Sequence, residues 1–235
     1  MPLRISKAKP VRKNLVEMLD DLIEQHHLLK HPFYKAWSEG TLPKETLQLY
    51  AAQYYQHVLS FPENLRQLAG RAAGHLGSLV QENLDEELDP AAPHPALWRQ
   101  FAEAVGVDQT ALNEAHPLPG VAVLLDAYDE IASQGTFAQA VAAFYVYEAQ
   151  VPETAKEKKA GLQQFYHVTD ERALAYFEVH QEADVRHRSA WRGWLAEQND
   201  EESFGVLCAA ERSLKALWGA LDAIYPQACA VAARN

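Results

Sequence analysis

Seven residues, Ala173, Phe177, His180, Asp184, His187, Trp191 and Trp194, follow one another at alternating intervals of four and three. That rhythm puts all seven on one face of a single helix. Apolar and aromatic side chains stand at both ends, so the face is a buried one. Its middle nevertheless carries two imidazoles and a carboxylate. Left without partners there, such groups would cost roughly a few kcal/mol each. Neighbouring helices must therefore bring partners, either a hydrogen-bonded ladder or a metal ion. Asp184-x-x-His187 also has the carboxylate-x-x-His spacing that points two ligands to the same side of a helix in carboxylate di-iron bundles.

The rest of the chain has the same helical habit, and no stretch alternates as a half-buried strand would. Helices are expected from about Arg12 to Leu29, from Pro32 to Gly40, and from a Thr41 cap past Tyr55, the last interrupted or kinked at Pro62. Further ones follow near Ala73–Leu88, Pro95–Val105, Asp108–Ala115 and Gly120–Ser133. Thr136 begins another that Pro152 should bend, and the last two cover Thr169–Glu197 and Asn199–Tyr225. No long linker or repeat separates them. The expected architecture is all-α, one helical bundle of about seven to nine helices over residues 13–235, after a basic arm over residues 1–12.

Composition narrows the partners. A net charge of −11 argues against nucleic acid, whose phosphates want clustered Lys and Arg. No run reaches the roughly 18–20 apolar residues of a membrane span, and no apolar signal core follows the basic arm. Cys208 and Cys229 form no CxxC pair, which fits a reducing compartment. A soluble, cytoplasmic protein is expected, with a homodimer possible.

Other helices offer matching ligands. In FAQAVAAFYVYEAQV, Glu148 is the one ionisable acid, in register with Phe137, Val141 and Phe144. A carboxylate on such a face is protonated, paired or metal-bound. In LVQENLDEEL, Glu87 falls in register with Leu76, Val80 and Asn83, with Glu86 as the alternative because helix phase drifts. His94 follows a short proline-rich turn and can begin the next helix. Glu87, His94, Glu148, His180, Asp184 and His187 make three carboxylates and three imidazoles. That mixture suits iron or manganese better than structural zinc, and six ligands suffice for two ions with positions left for water or dioxygen.

The segments HPFYKAW, ENLDEEL with HPALW, YVYEAQVPETAKEK and AYFEVHQEADVRH resemble the haem-oxygenase-like di-iron oxidases. They resemble in particular the branch containing the chlamydial protein associating with death domains. More distantly the chain is similar to the TENA/THI-4 and pyrroloquinoline-quinone synthase proteins. The resemblance implies a haem-oxygenase-like fold, two metals (iron, manganese or both) on those six residues, dioxygen as co-substrate and an external reductant whose donor is unknown. It also implies 4-aminobenzoate synthesis for folate, in a single turnover, from one of the protein's own tyrosines. The sacrificed tyrosine matches Tyr34 and the amino donor Lys158. Tyr147 and Tyr176 match tyrosines beside the ligands. Of these, Tyr176 precedes His180 by one helical turn, whereas Lys158 sits in a charged run that would ordinarily be solvated. Two other readings compete: a metal-free oxidase resembling pyrroloquinoline-quinone synthase, and a death-domain-type interaction module.

Overall fold

The computed structural model describes residues 13–198 and 200–226, apart from the side chains of 182–185 and 200. The basic arm lies outside the described residues, as does the side chain of Asp184. Among the described residues there are eleven α-helices and two short 3-10 turns, and no strand. The count exceeds seven to nine because short helices and a proline-flanked break stand as separate elements.

The helices are α1 (Leu15–Gln25), α2 (Pro32–Ser38), α3 (Lys44–Ala69), α4 (Gly74–Glu87), α5 (His94–Ala104) and α6 (Gln109–Glu114). They continue as α7 (Pro119–Gln134), α8 (Phe137–Glu148), α9 (Val151–Phe165), α10 (Glu171–Ala196) and α11 (Ser203–Ile224). No helix of the described residues is long and apolar enough to cross a membrane.

α8 is the axis of the bundle. From Ala140 through Glu148 every side chain is buried, the signature of a helix apolar all round and enclosed on all sides. Alanines at 138, 140, 142 and 143 let α1, α7, α10 and α11 approach it. Thr136 starts it with a reciprocal capping box to Gln139. Pro152 does not bend this helix. The chain turns at Ala149 and Gln150, and Pro152 lies in the first turn of α9, where its missing N–H costs nothing.

Two other proline expectations are corrected. Pro62 does not interrupt the 26-residue α3, because the packing of its buried face outweighs one lost backbone bond. The residue capping α3 is Pro43, not Thr41, whose hydroxyl instead donates to the Ala36 carbonyl at 3.3 Å. Gly40 ends α2 as expected, at φ +67°, and a Cβ there would collide with the Phe165 ring at the end of α9. That glycine lets α2 lie against α9.

Candidate metal centre

Three helix ends bring their terminal side chains into the interior, where they fall into two groups. Glu87 is the last residue of α4, Glu148 the last of α8, and His94 the first of α5. His180 and His187 reach them from the middle of α10. A carboxylate at a helix C-terminus faces the negative end of the helix dipole, so two of them in one interior call for a cation.

The first group is Glu87, His94 and His180, all buried, with one ligand atom from each lying within 4.8 Å of the others. His94 Nδ1 is 2.9 Å from one Glu87 oxygen and His180 Nε2 is 3.9 Å from the other. His180 Nδ1 donates to the Tyr176 carbonyl at 2.7 Å, which leaves Nε2 as the lone pair facing Glu87. Burial, and then the neighbouring His94, hold the His180 pKa well below its ordinary value, so the ring is a neutral donor. Two imidazoles and a carboxylate are the donor composition of non-haem iron oxygenase sites. The residues fit an ion.

The second group is Glu148 with His187. Glu148 accepts N–H bonds from Asn83 at 2.9 Å and from the Trp191 indole at 2.6 Å, and His187 Nδ1 stands 4.0 Å from it. These donors aim the carboxylate, and Asn83 and Trp191 share its helix-face register with the expected ligands. Of the alternatives on α4, Glu87 is the one that meets His94 and His180.

A second buried cluster adjoins the first. Lys158 is buried, contrary to the solvated position its neighbours suggest. Its ammonium nitrogen lies 5.3, 5.4 and 5.2 Å from the ring centres of Tyr34, Tyr50 and Tyr54, and 5.9 Å from that of Phe177. Burial pushes the amine down to about 7 and holds the Tyr34 phenol well above its ordinary value. The Tyr34 and Tyr50 hydroxyls are 3.4 Å apart, and those of Tyr54 and Tyr147 are 2.9 Å apart. Tyr176 packs on the His180 ring at 4.2 Å and on Trp98 at 4.7 Å, and Trp98 lies 5.2 Å from Tyr54. Aromatic contacts thus run unbroken from Tyr34 to the imidazoles.

The segment that carries Tyr34 is fixed by His31. Its Nδ1 accepts from the Phe33 N–H at 3.0 Å, capping α2, while Nε2 faces Asp222 of α11 at 3.2 Å. Tyr50, Tyr54, Phe177 and Trp98 were not among the expected site residues, although Tyr50, Tyr54, His57 and Phe61 share a four-three-four spacing on α3.

Residues 48–218 match the family described as iron-containing redox enzymes. The chain belongs to that family. Within it, the sequence is 35% identical to a 4-aminobenzoate synthase of Chlamydia muridarum over 223 residues, 94% of each chain. It is equally 35% identical to a 4-aminobenzoate synthase of Nitrosomonas europaea, over 91% of this chain and 92% of that one. A pyrroloquinoline-quinone synthase of Granulibacter bethesdensis is 26% identical over 86% of this chain and 81% of that one. Among solved structures, a Shewanella denitrificans domain of unknown function with a haem-oxygenase-like fold superposes with a TM-score of 0.77 at 19% identity. It covers 92% of this chain and 94% of that one. The iron-containing redox enzyme family and the all-α haem-oxygenase-like fold are thereby both established for this chain.

Proposed function

We propose that this protein makes 4-aminobenzoate from its own Tyr34, with Lys158 as amino donor, at a centre of two first-row metal ions. The observation that carries the reading is the buried Lys158 amine over the Tyr34 ring, beside the Glu87, His94 and His180 cluster. An ordinary metal site has no use for a lysine whose burial costs several kcal/mol on the order expected for a desolvated ammonium.

Glu87, His94 and His180 would hold one ion, and Glu148, Asp184 and His187 the other. Iron, manganese or one of each fits these donors, and the bound pair would supply the electrons that activate dioxygen, replenished by an external reductant. The remaining work falls to the chain. Lys158, with its pKa near 7, presents a large fraction of free amine at neutral pH, the form that can form a bond to carbon. Tyr50 holds the Tyr34 hydroxyl, and the aromatic walls keep bulk water from the ring. Tyr176 packs on the His180 ring, and the Tyr147 hydroxyl meets that of Tyr54.

A metal-free oxidase like the pyrroloquinoline-quinone synthases rests on weaker similarity and gives no role to two helix-terminal acids set against three buried imidazoles. The test is a His180→Ala, Asp184→Ala double variant, loaded alongside wild type with iron and manganese. The proposal expects wild type to retain two ions and form product with dioxygen and reductant, and the variant to lose at least one ion and all product. Two retained ions in the variant would contradict it.

A further inference from the structure

Glu86 and Glu87 are consecutive on the last turn of α4, about 100° apart around the helix, and they reach different partners. Glu87 turns to His94 and His180. Glu86 places Oε2 3.4 Å from His187 Nε2, and its Oε1 accepts from Arg186 Nη2 at 2.6 Å. The other arm of Arg186 donates to Glu82 at 2.6 Å. Because His187 Nδ1 faces Glu148, its buried ring lies between two carboxylates, one from α8 and one from α4.

We propose that Glu86 is a seventh ligand, serving the same ion as Glu148 and His187, and that Arg186 with Glu82 holds it at the mouth of the site until that ion arrives. This rests on the dimetal reading above. The arrangement is asymmetric: the side chain of Glu87 is 9% exposed and that of Glu86 29%, so the second position opens to water on the Glu86 side. A hydrated cation entering there meets Glu82 and Glu86 first. A carboxylate has about four acceptor sites, and a divalent ion outcompetes one exposed guanidinium for them. Surface ion pairs contribute little to stability, so tying α4 to α10 does not account for placing Glu86 against a buried imidazole.

The test is anaerobic titration of the apo-protein with manganese(II), followed by the metal retained per chain and the free ion's paramagnetic resonance. Wild type should take two ions. Glu86→Gln should keep the first at unchanged affinity and weaken the second roughly tenfold or more. Arg186→Gln should tighten or speed loading of the second, because the competing cation is gone. Circular dichroism establishes that each variant is folded, and the Arg186 variant tests the idea in the opposite direction should Glu86→Gln fail to fold. Two ions at wild-type affinity in Glu86→Gln, or a weakened second ion in Arg186→Gln, would overturn the assignment while leaving the dimetal reading standing. A wild-type protein that takes up no manganese or iron would overturn the dimetal reading itself.

Discussion

The Trp37 indole N–H donates to the backbone carbonyl of Lys158 at 3.2 Å, tying the helix that carries Tyr34 to the helix that carries Lys158. The approach is possible because position 161, one turn further along α9, is glycine. A Cβ there would overlap the Trp37 indole at 2.6–2.7 Å.

Gly161→Ala should therefore force α2 and α9 apart. An overpacked buried contact of this kind costs about 1–3 kcal/mol, readable as a lowered urea midpoint. Because the displaced element carries Tyr34, consumption of Tyr34 should fall by more than the stability loss explains in a protein still fully folded. Unchanged stability and unchanged Tyr34 consumption would show that the contact does not set the geometry.

Lys158 gives a stability that rises with pH. Burial holds its folded pKa at about 7, below the 10.5 of a free lysine, so the unfolded chain binds the extra proton between those limits. Stability is depressed below pH 7 and recovers as pH rises toward 10.5, by at most about 5 kcal/mol. Lys158→Met keeps the length and the backbone carbonyl but removes the charge. It should be more stable than wild type at pH 7, with the advantage shrinking by pH 9.5, as measured by urea unfolding at both values.

His57 acts in the opposite range. Its ring is packed against Tyr54, Phe61, Tyr128 and Tyr147, and neither ring nitrogen has a hydrogen-bond partner among the described residues. Burial, and secondarily Lys158, push its pKa down to about 3. It stays neutral in the fold and gains a proton on unfolding below pH 6.5, so stability is lost as pH falls through that window. His57→Phe should reduce the loss of stability between pH 7 and 4.5 by about 2–3 kcal/mol. An identical pH dependence in the two proteins would remove His57 from the acid-sensitive groups.

Much of the candidate centre is legible in the sequence because α10 repeats its pattern over six turns. Ligands on a long, strongly periodic face can be read as a set, and Glu148 stands out in a helix of apolar residues. The tyrosine and lysine cluster is harder to read. Lys158 is flanked by Glu157 and Lys159, which hides that Val151, Ala155, Lys158 and Leu162 follow a buried spacing of four, three and four. Even with that face assigned, nothing local says that α2 lies against it. That contact depends on Gly40 and Gly161, which remove Cβ atoms where two distant segments meet. Pro62 does not interrupt α3 for a related reason: a local breaker yields to tertiary packing that the local sequence does not encode.

The central claim is that Tyr34 is spent. The measurement is peptide mass analysis of the metal-loaded protein after reaction with reductant and dioxygen, alongside the yield of 4-aminobenzoate. The account predicts loss of the Tyr34 side chain in proportion to product, a change at Lys158, and never more than one equivalent of product per chain. Tyr34→Phe should keep its fold and metals yet give no 4-aminobenzoate. Many turnovers on an added aromatic substrate, with Tyr34 intact in the peptide map, would contradict it.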